Sequence, residues 1–205
     1  MWSVSSPLPS GAAVEVEDAK ALLRDAIRAH RKERSAKEAR RAAEHIAEHI
    51  EPLLAGVSCV AMYSARPDEP NTDVLMQAMH ERDITILLPI LGAGLSRDWA
   101  RYEPGQTLEV RAPGRPPEPE GPGLGENAIA DADLIITPAL SVDGEGRRLG
   151  QGGGWYDRML KLADPTARIY AVLFDDEISS EPLPWADHDR AVHGVITPSG
   201  RRDFI

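Results

Sequence analysis

This sequence predicts an α/β fold: a parallel or mixed sheet sandwiched by helices, with two further helices at the N-terminal end. Three observations carry the prediction. From Val57 onward, short β-branched and apolar runs alternate with amphipathic helical segments. Two amphipathic helical patterns precede the first of those runs. A chain of 205 residues that is 42% hydrophobic holds enough apolar surface for one core. The expected organisation is a loose arm over residues 1–15, mixed in Ser, Pro, Gly and Ala, and a single α/β domain over residues 16–205.

The elements follow from spacing. Ala19, Leu22, Leu23, Ala26 and Ile27 repeat at helical intervals, with Lys20, Arg24 and Arg28 as a cationic stripe beside them. Ser35 to Glu38 forms a capping box, which opens a second helix that buries Ala39, Ala42, Ala43, Ile46, Ala47 and Ile50. Val57 to Ser64 reads as a strand, and Asn71-Thr72-Asp73 caps a helix through Val74, Leu75, Ala78 and Met79. Ile84 to Ile90 is a second buried strand, and Trp99 to Glu103 and Thr107 to Val110 are edge-strand candidates. The Pro-rich stretch from Ala112 to Gly125 cannot pair as a central strand. Ala132 to Leu140 is the most hydrophobic strand, Gly154 to Ala163 a helix after a glycine run, and Arg168 to Phe174 and Val192 to Thr197 complete the sheet.

Charge and composition exclude several classes. Lys and Arg number 23 against 33 Asp and Glu, a formal charge of −10, yet residues 20–41 carry nine cations and three anions. A basic block on an acidic chain is a solvated helix face, a nucleic-acid contact or a phosphate-reading surface. With only two Phe and four Tyr for base stacking, and an acidic remainder, no nucleic-acid partner is expected. No apolar run reaches the roughly 20 residues of a bilayer span, and the first residues lack a basic and apolar leader pattern. The expectation is a soluble, cytoplasmic monomer without a membrane partner. Cys59 is the one cysteine, which excludes an intrachain disulfide and a thiolate zinc cage.

The chemistry concentrates between Asp133 and Leu160. A buried strand ends at Pro138, a polar turn holds Asp143 and Gly146, and Gly150, Gly152, Gly153 and Gly154 precede a helix. Loops at the carboxyl ends of strands are where open α/β sheets bind ligands. Glycines allow successive amides to turn toward an anion, and a following helix N-terminus adds partial positive charge. The spacing fits neither common nucleotide motif: a dinucleotide fingerprint requires glycine where Trp155 stands, and G-K-[ST] is absent. Arg147 and Arg148 precede the glycines, and Asp157 follows them. Arginine forks onto phosphate oxygens, and aspartate holds a bridging magnesium ion.

The run R-L-G-Q-G-G-G-W-Y-D-R, from Arg148 to Arg158, resembles the R-L-G-x-G-x-G-Y-Y-D signature of the 5-formyltetrahydrofolate cyclo-ligases, or 5,10-methenyltetrahydrofolate synthetases. P-A-L-S-V-D-G-E-G, from Pro138 to Gly146, resembles that family's P-x-L-x-F-D-x-x-G. The likeness extends from about Asp18 to Thr197 through Lys20 and Arg24, through Asp68, Glu69 and Thr72, through Pro117 to Pro119, and through Asp189 and Val192.

The resemblance implies a Rossmann-like, CoA-transferase-like sheet and an enzyme of one-carbon metabolism. Such an enzyme uses ATP and Mg²⁺ to turn 5-formyltetrahydrofolate into 5,10-methenyltetrahydrofolate, ADP and phosphate. Its partners would be the small-molecule folate and ATP. Carried over residue by residue, it assigns ATP contacts to Lys20, Arg24, Arg148, Leu149, Gly150, Gln151, Gly152, Gly153, Gly154, Trp155 and Tyr156. It assigns folate contacts to Glu69, Gln151 and Trp155, and magnesium to Asp157 and Asp189. Under this assignment Arg28 and the later cations of the block stay ordinary solvated charges. Three positions depart from the family pattern: Val142 stands for Phe, Trp155 for the first Tyr, and Ile90 for an Arg after Pro89.

Two rival readings remain at this point. The departures leave room for a paralogue that phosphorylates another N-formyl or carboxyl substrate. His45, Glu48 and His49 also fit the H-x-x-E-H pattern of inverted zinc peptidases.

Overall fold

The computed structural model describes residues 16–92, 94, 96–185 and 189–204; the arm expected over residues 1–15 lies outside them. Nine strands and four α-helices follow one another along the described chain. Helices α1 (Val16–Arg31) and α2 (Ala36–Ile50) come first, then β1 (Cys59–Ala61), α3 (Asp73–His80), β2 (Thr85–Leu91) and β3 (Arg97–Arg101). After the Pro-rich stretch come β4 (Leu134–Pro138), β5 (Ser141–Val142), β6 (Arg148–Leu149), α4 (Trp155–Met159), β7 (Arg168–Val172), β8 (Gly194–Thr197) and β9 (Gly200–Asp203). Seven strands form one sheet in the order β3-β2-β1-β4-β7-β8-β9, and β5 with β6 makes a separate ribbon. The five inner strands run parallel, and the two edges, β3 and β9, run antiparallel to their neighbours. The mixed sheet flanked by helices is the architecture the alternating pattern predicts.

Local sequence explains the elements. Ser35 accepts from the Glu38 amide while Glu38 accepts from the Ser35 amide, so the capping box starts α2 as its sequence requires. Asn71 accepts from the Asp73 amide at 2.8 Å and turns the chain into α3. The inner strands are buried without alternation, as parallel strands covered on both faces should be. Ile46 and Ile50 of α2, Leu75 and Met79 of α3, and Leu134, Ile135 and Ile136 of β4 belong to the principal core. Ala171 and Val195 look instead into a second cluster with Ala139, Val142 and Val192.

Three expectations are corrected. Thr107 to Val110 is not a strand: a single bridge pairs Glu109 with Glu118 within the Pro-rich stretch. The helix expected from Gly154 to Ala163 is α4 alone. After Met159 the chain tightens into three-residue turns, with the Leu162 amide on the Met159 carbonyl, ahead of Asp164 and Pro165. Two of the later cations of the basic block, Arg31 and Arg34, are also not simply solvated. The Arg31 side chain is fully buried, Nε and Nη2 bonding Glu177 at 2.7 and 2.8 Å and Nη2 also the Ala139 carbonyl at 2.7 Å. Arg34 donates to Asp176 at 3.0 Å and lies over the Phe174 ring. These bonds fix α1 across the carboxyl ends of β4 and β7.

The edge strand β3 is covered rather than exposed. The Leu124 amide donates to the Trp99 carbonyl at 2.8 Å, which folds the Pro-rich stretch back over the edge, and Trp99 is completely buried. No helix among the described residues is long and apolar enough to cross a membrane.

Candidate functional site

A cleft of about 760 Å³ opens at the carboxyl ends of the parallel strands. Elements distant in sequence supply its walls: α1, the loop after β1, the end of β2, the Pro-rich stretch, and the segment from β6 through α4. Of the residues singled out from sequence, Lys20, Arg24, Glu69, Arg148, Gly150 to Tyr156, Asp157 and Asp189 all line it. Leu149 does not. Its side chain is buried in a third apolar cluster with Ile27, Leu140 and Leu183, and it serves the loop as an anchor.

The glycine loop is shaped by its backbone and by α1. Gly152 and Gly154 have φ of 100° and 59°, conformations that a side chain would strain. Arg24 Nε donates to the Gly150 carbonyl at 3.0 Å and Arg28 Nη2 to the Gln151 carbonyl at 2.8 Å. In a trans peptide the carbonyl and the next amide point in opposite directions, so these two arginines turn the Gln151 and Gly152 amides away from α1. Among the described residues none accepts a hydrogen bond from the amides of Gln151, Gly152, Gly153 or Gly154. Helix α4 is only five residues long and contributes a small dipole, so the loop amides and the cations carry the anion-binding capacity.

The cations are held in ion pairs. Lys20, whose side chain is 4% exposed, donates to Asp189 at 2.5 Å and approaches Glu17 at 3.5 Å. Arg148, with its side chain 2% exposed, donates from Nη2 to Asp157 at 2.6 Å and from Nη1 to the Pro138 carbonyl at 3.1 Å. Its Nε is buried without an acceptor among the described residues, as is the Tyr156 hydroxyl. A buried donor without a partner costs free energy, and both belong to side chains that line the cleft.

Opposite the glycine loop stands Glu69, buried and held by Arg66. Arg66 Nη2 donates to Oε1 at 3.1 Å and the Arg66 amide to Oε2 at 2.9 Å; Gln151 Nε2 also reaches Oε1, at 2.8 Å. Burial, and next the Glu69 charge, push the Tyr63 and Tyr156 phenols well above their ordinary range, so both stay protonated. Trp155 packs edge-on against Trp99, ring centres 4.7 Å apart, and against Tyr156 at 4.9 Å.

Sequence reasoning missed three contributors. Arg28 braces the glycine loop, Arg66 sets the Glu69 carboxylate, and Glu118, almost wholly buried, lines the cleft and accepts from the Leu91 amide at 3.2 Å. The P-E-P pattern at Pro117 to Pro119 is the available signal for Glu118, and the stripe shared with Lys20 and Arg24 is the signal for Arg28; nothing local marks Arg66.

The metal expectation meets a partial fit. Asp157 and Asp189 both line the cleft, each in its own ion pair, and Asp157 keeps Oδ2 outside its pair with Arg148. Among the described residues no three His, Cys, Asp or Glu side chains gather to hold a metal ion. That leaves the His45 and His49 pair of the zinc-peptidase pattern without a third ligand. It does not disfavour Mg²⁺, which is commonly bound by one or two carboxylates with phosphate oxygens and water.

A family model described as the 5-formyltetrahydrofolate cyclo-ligase family matches residues 16–198. The 5-formyltetrahydrofolate cyclo-ligase of Mycolicibacterium smegmatis is 37% identical over 188 residues, covering 87% of this chain and 93% of that protein. Among solved structures, the 5,10-methenyltetrahydrofolate synthetase of Aquifex aeolicus is similar with a TM-score of 0.75 and 28% identity, over 90% of this chain and 92% of that one. The synthetase of Mycoplasma pneumoniae shares the fold, with a TM-score of 0.68 at 16% identity, over 87% of this chain and 98% of that one. Six motif blocks in order, a matching sheet and a family match across most of the length agree: this chain belongs to the 5-formyltetrahydrofolate cyclo-ligase family.

Proposed function

We propose that the chain catalyses the ATP- and Mg²⁺-dependent conversion of 5-formyltetrahydrofolate into 5,10-methenyltetrahydrofolate, ADP and phosphate. The observation that carries this reading is the convergence, in one cleft, of a cation-lined glycine loop and, facing it, a buried carboxylate beside aromatic rings. The first suits a triphosphate and the second a pterin.

The reaction requires two displacements. The formyl oxygen attacks the γ-phosphorus of ATP, and the bond to the β,γ-bridging oxygen breaks to release ADP. N10 then attacks the formyl carbon and loses its proton, and the C–O bond breaks to release phosphate with the former formyl oxygen. Phosphoryl transfer asks the protein chiefly for alignment and charge neutralisation. Lys20 and Arg148 supply positive charge, and the Gln151 to Gly154 amides supply donors. Arg24 supports both roles, by its charge and by its bond to Gly150. Glu69 accepts from the pterin's N–H groups, and Trp155 and Tyr156 offer ring surface. Asp157 and Asp189 would hold Mg²⁺, which would supply positive charge against the phosphates.

The test is direct: purified protein is mixed with 5-formyltetrahydrofolate, ATP and Mg²⁺, and methenyltetrahydrofolate absorbance is followed. Growth of that absorbance supports the reading. Silence from a protein that still binds ATP favours a paralogue acting on another N-formyl or carboxyl substrate.

A further inference from the structure

The acceptor count at Glu69 carries an inference that rests on the function proposed above and deepens it. A carboxylate offers about four acceptor sites, two on each oxygen. Here Oε1 takes both Gln151 Nε2, at 2.8 Å, and Arg66 Nη2, at 3.1 Å, while Oε2 takes the Arg66 amide at 2.9 Å. One site on Oε2 remains. A ligand edge with two adjacent N–H donors, such as the 2-aminopyrimidinone edge of a pterin, needs one site on each oxygen to bond in parallel. Oε1 is saturated, so one protein donor must leave before such an edge can seat.

The two donors on Oε1 are unequal. Arg66 is a cation three residues away on the same loop, and its backbone amide also bonds this carboxylate. Gln151 is a neutral amide reaching across the cleft from the glycine loop. Both bonds end on the same carboxylate oxygen, but only Arg66 adds a full opposite charge to its hydrogen bond, so the Gln151 bond is the weaker of the two and yields first. Departure of that side chain leaves the loop backbone gripped, because Arg28 bonds the Gln151 carbonyl and Arg24 the Gly150 carbonyl irrespective of the side chain at 151. Arg28 also bonds Gln151 Oε1 at 3.2 Å, which keeps the amide turned toward Glu69 in the ligand-free cleft.

We propose that Gln151 is a displaceable latch: its side-chain amide occupies a Glu69 acceptor site in the free protein and is expelled by the paired N–H donors of the folate. The residue is thus a positioning and specificity element. It holds the carboxylate in place for the incoming edge, and it sets a threshold that a ligand with a single donor does not meet.

Substitution by methionine removes the amide donor at nearly constant shape. Equilibrium binding of 5-formyltetrahydrofolate without nucleotide is measured for the wild type, Gln151→Met and Gln151→Ala, with thermal melting to confirm the fold. The latch predicts that both variants bind the folate about threefold or more tightly than the wild type. It also predicts that the gain is confined to the folate: affinity for a non-hydrolysable ATP analogue does not rise with it, a split that a general change in the loop would not give. Unchanged or weaker folate binding by both variants, beside normal wild-type binding, overturns the latch alone. A wild type that binds the ATP analogue but not the folate overturns the functional reading, and the latch with it.

Discussion

Arg148 and Asp157 lie 2.6 Å apart across the glycine loop, and the arginine is the more deeply buried partner. The pair joins the start of the loop to α4, so the chain between them is closed at its base by a charge-assisted bond. Removing the arginine leaves Asp157 facing the cleft without its counter-charge and withdraws a donor from the phosphate side. Arg148→Ala should therefore lower kcat/KM for ATP by about 100-fold or more. Arg148→Lys should recover only part of it, because a single ammonium nitrogen lacks the planar fork whose Nη1 and Nη2 bond Pro138 and Asp157 separately. Steady-state kinetics with ATP varied, read beside thermal melting, separates this loss from unfolding.

Lys20 and Arg40 belong to the same basic block but to different environments. Lys20 is buried against Asp189 in the cleft, whereas Arg40 is exposed on α2. Lys20→Ala should raise KM for ATP about tenfold or more, and Arg40→Ala should change neither KM nor stability by more than about 0.5 kcal/mol. Equal effects of the two substitutions would mean that the block acts only through folding.

The Arg31–Glu177 pair is a structural test. Both side chains are essentially excluded from solvent, and Glu177 also accepts from the Phe174 amide at 3.0 Å. Arg31→Met strands a buried carboxylate and should cost about 3–5 kcal/mol in urea unfolding. Adding Glu177→Leu should return a large part of that loss, since an apolar pair no longer carries an uncompensated charge.

Asp133 gives a pH prediction. Bonds from the Ser58 amide, the Ser58 hydroxyl and the Cys59 amide hold its carboxyl below its ordinary 3.8. A folded-state value below the unfolded one adds stability that is fully present above the unfolded value and is lost as pH falls through the folded one. Asp133→Asn should lower Tm at neutral pH and flatten its fall at and below pH 3.8, the ordinary value of the group. Melting curves from pH 7 to about pH 3 check the slope.

What the sequence makes legible follows from the range of each interaction. Period and caps are local, so α1, α2 and the parallel strands could be read from spacing, as could the glycine loop from composition. The partners that give the cations their roles lie far along the chain. Arg31 reaches Glu177, and no local pattern distinguishes it from Arg40; Arg28 shares a stripe with Lys20 and Arg24, but nothing in that stripe names the Gln151 carbonyl as its partner. Arg24 shows the same limit differently: resemblance assigned it to phosphate, while its observed bond is to the Gly150 carbonyl. The end of α4 is not legible in the apolar pattern, which continues to Ala163, because the turns after Met159 place those residues in packing rather than in helix.

The central claim is that one cleft joins ATP to a formylated folate. The most direct measurement combines wild-type protein, 5-formyltetrahydrofolate, ATP and Mg²⁺, and follows methenyltetrahydrofolate absorbance and ADP in the same samples. The account predicts that both products form in a one-to-one ratio, and that leaving out either ATP or Mg²⁺ abolishes them. ADP formed without methenyltetrahydrofolate, or methenyltetrahydrofolate formed without ATP, would contradict it.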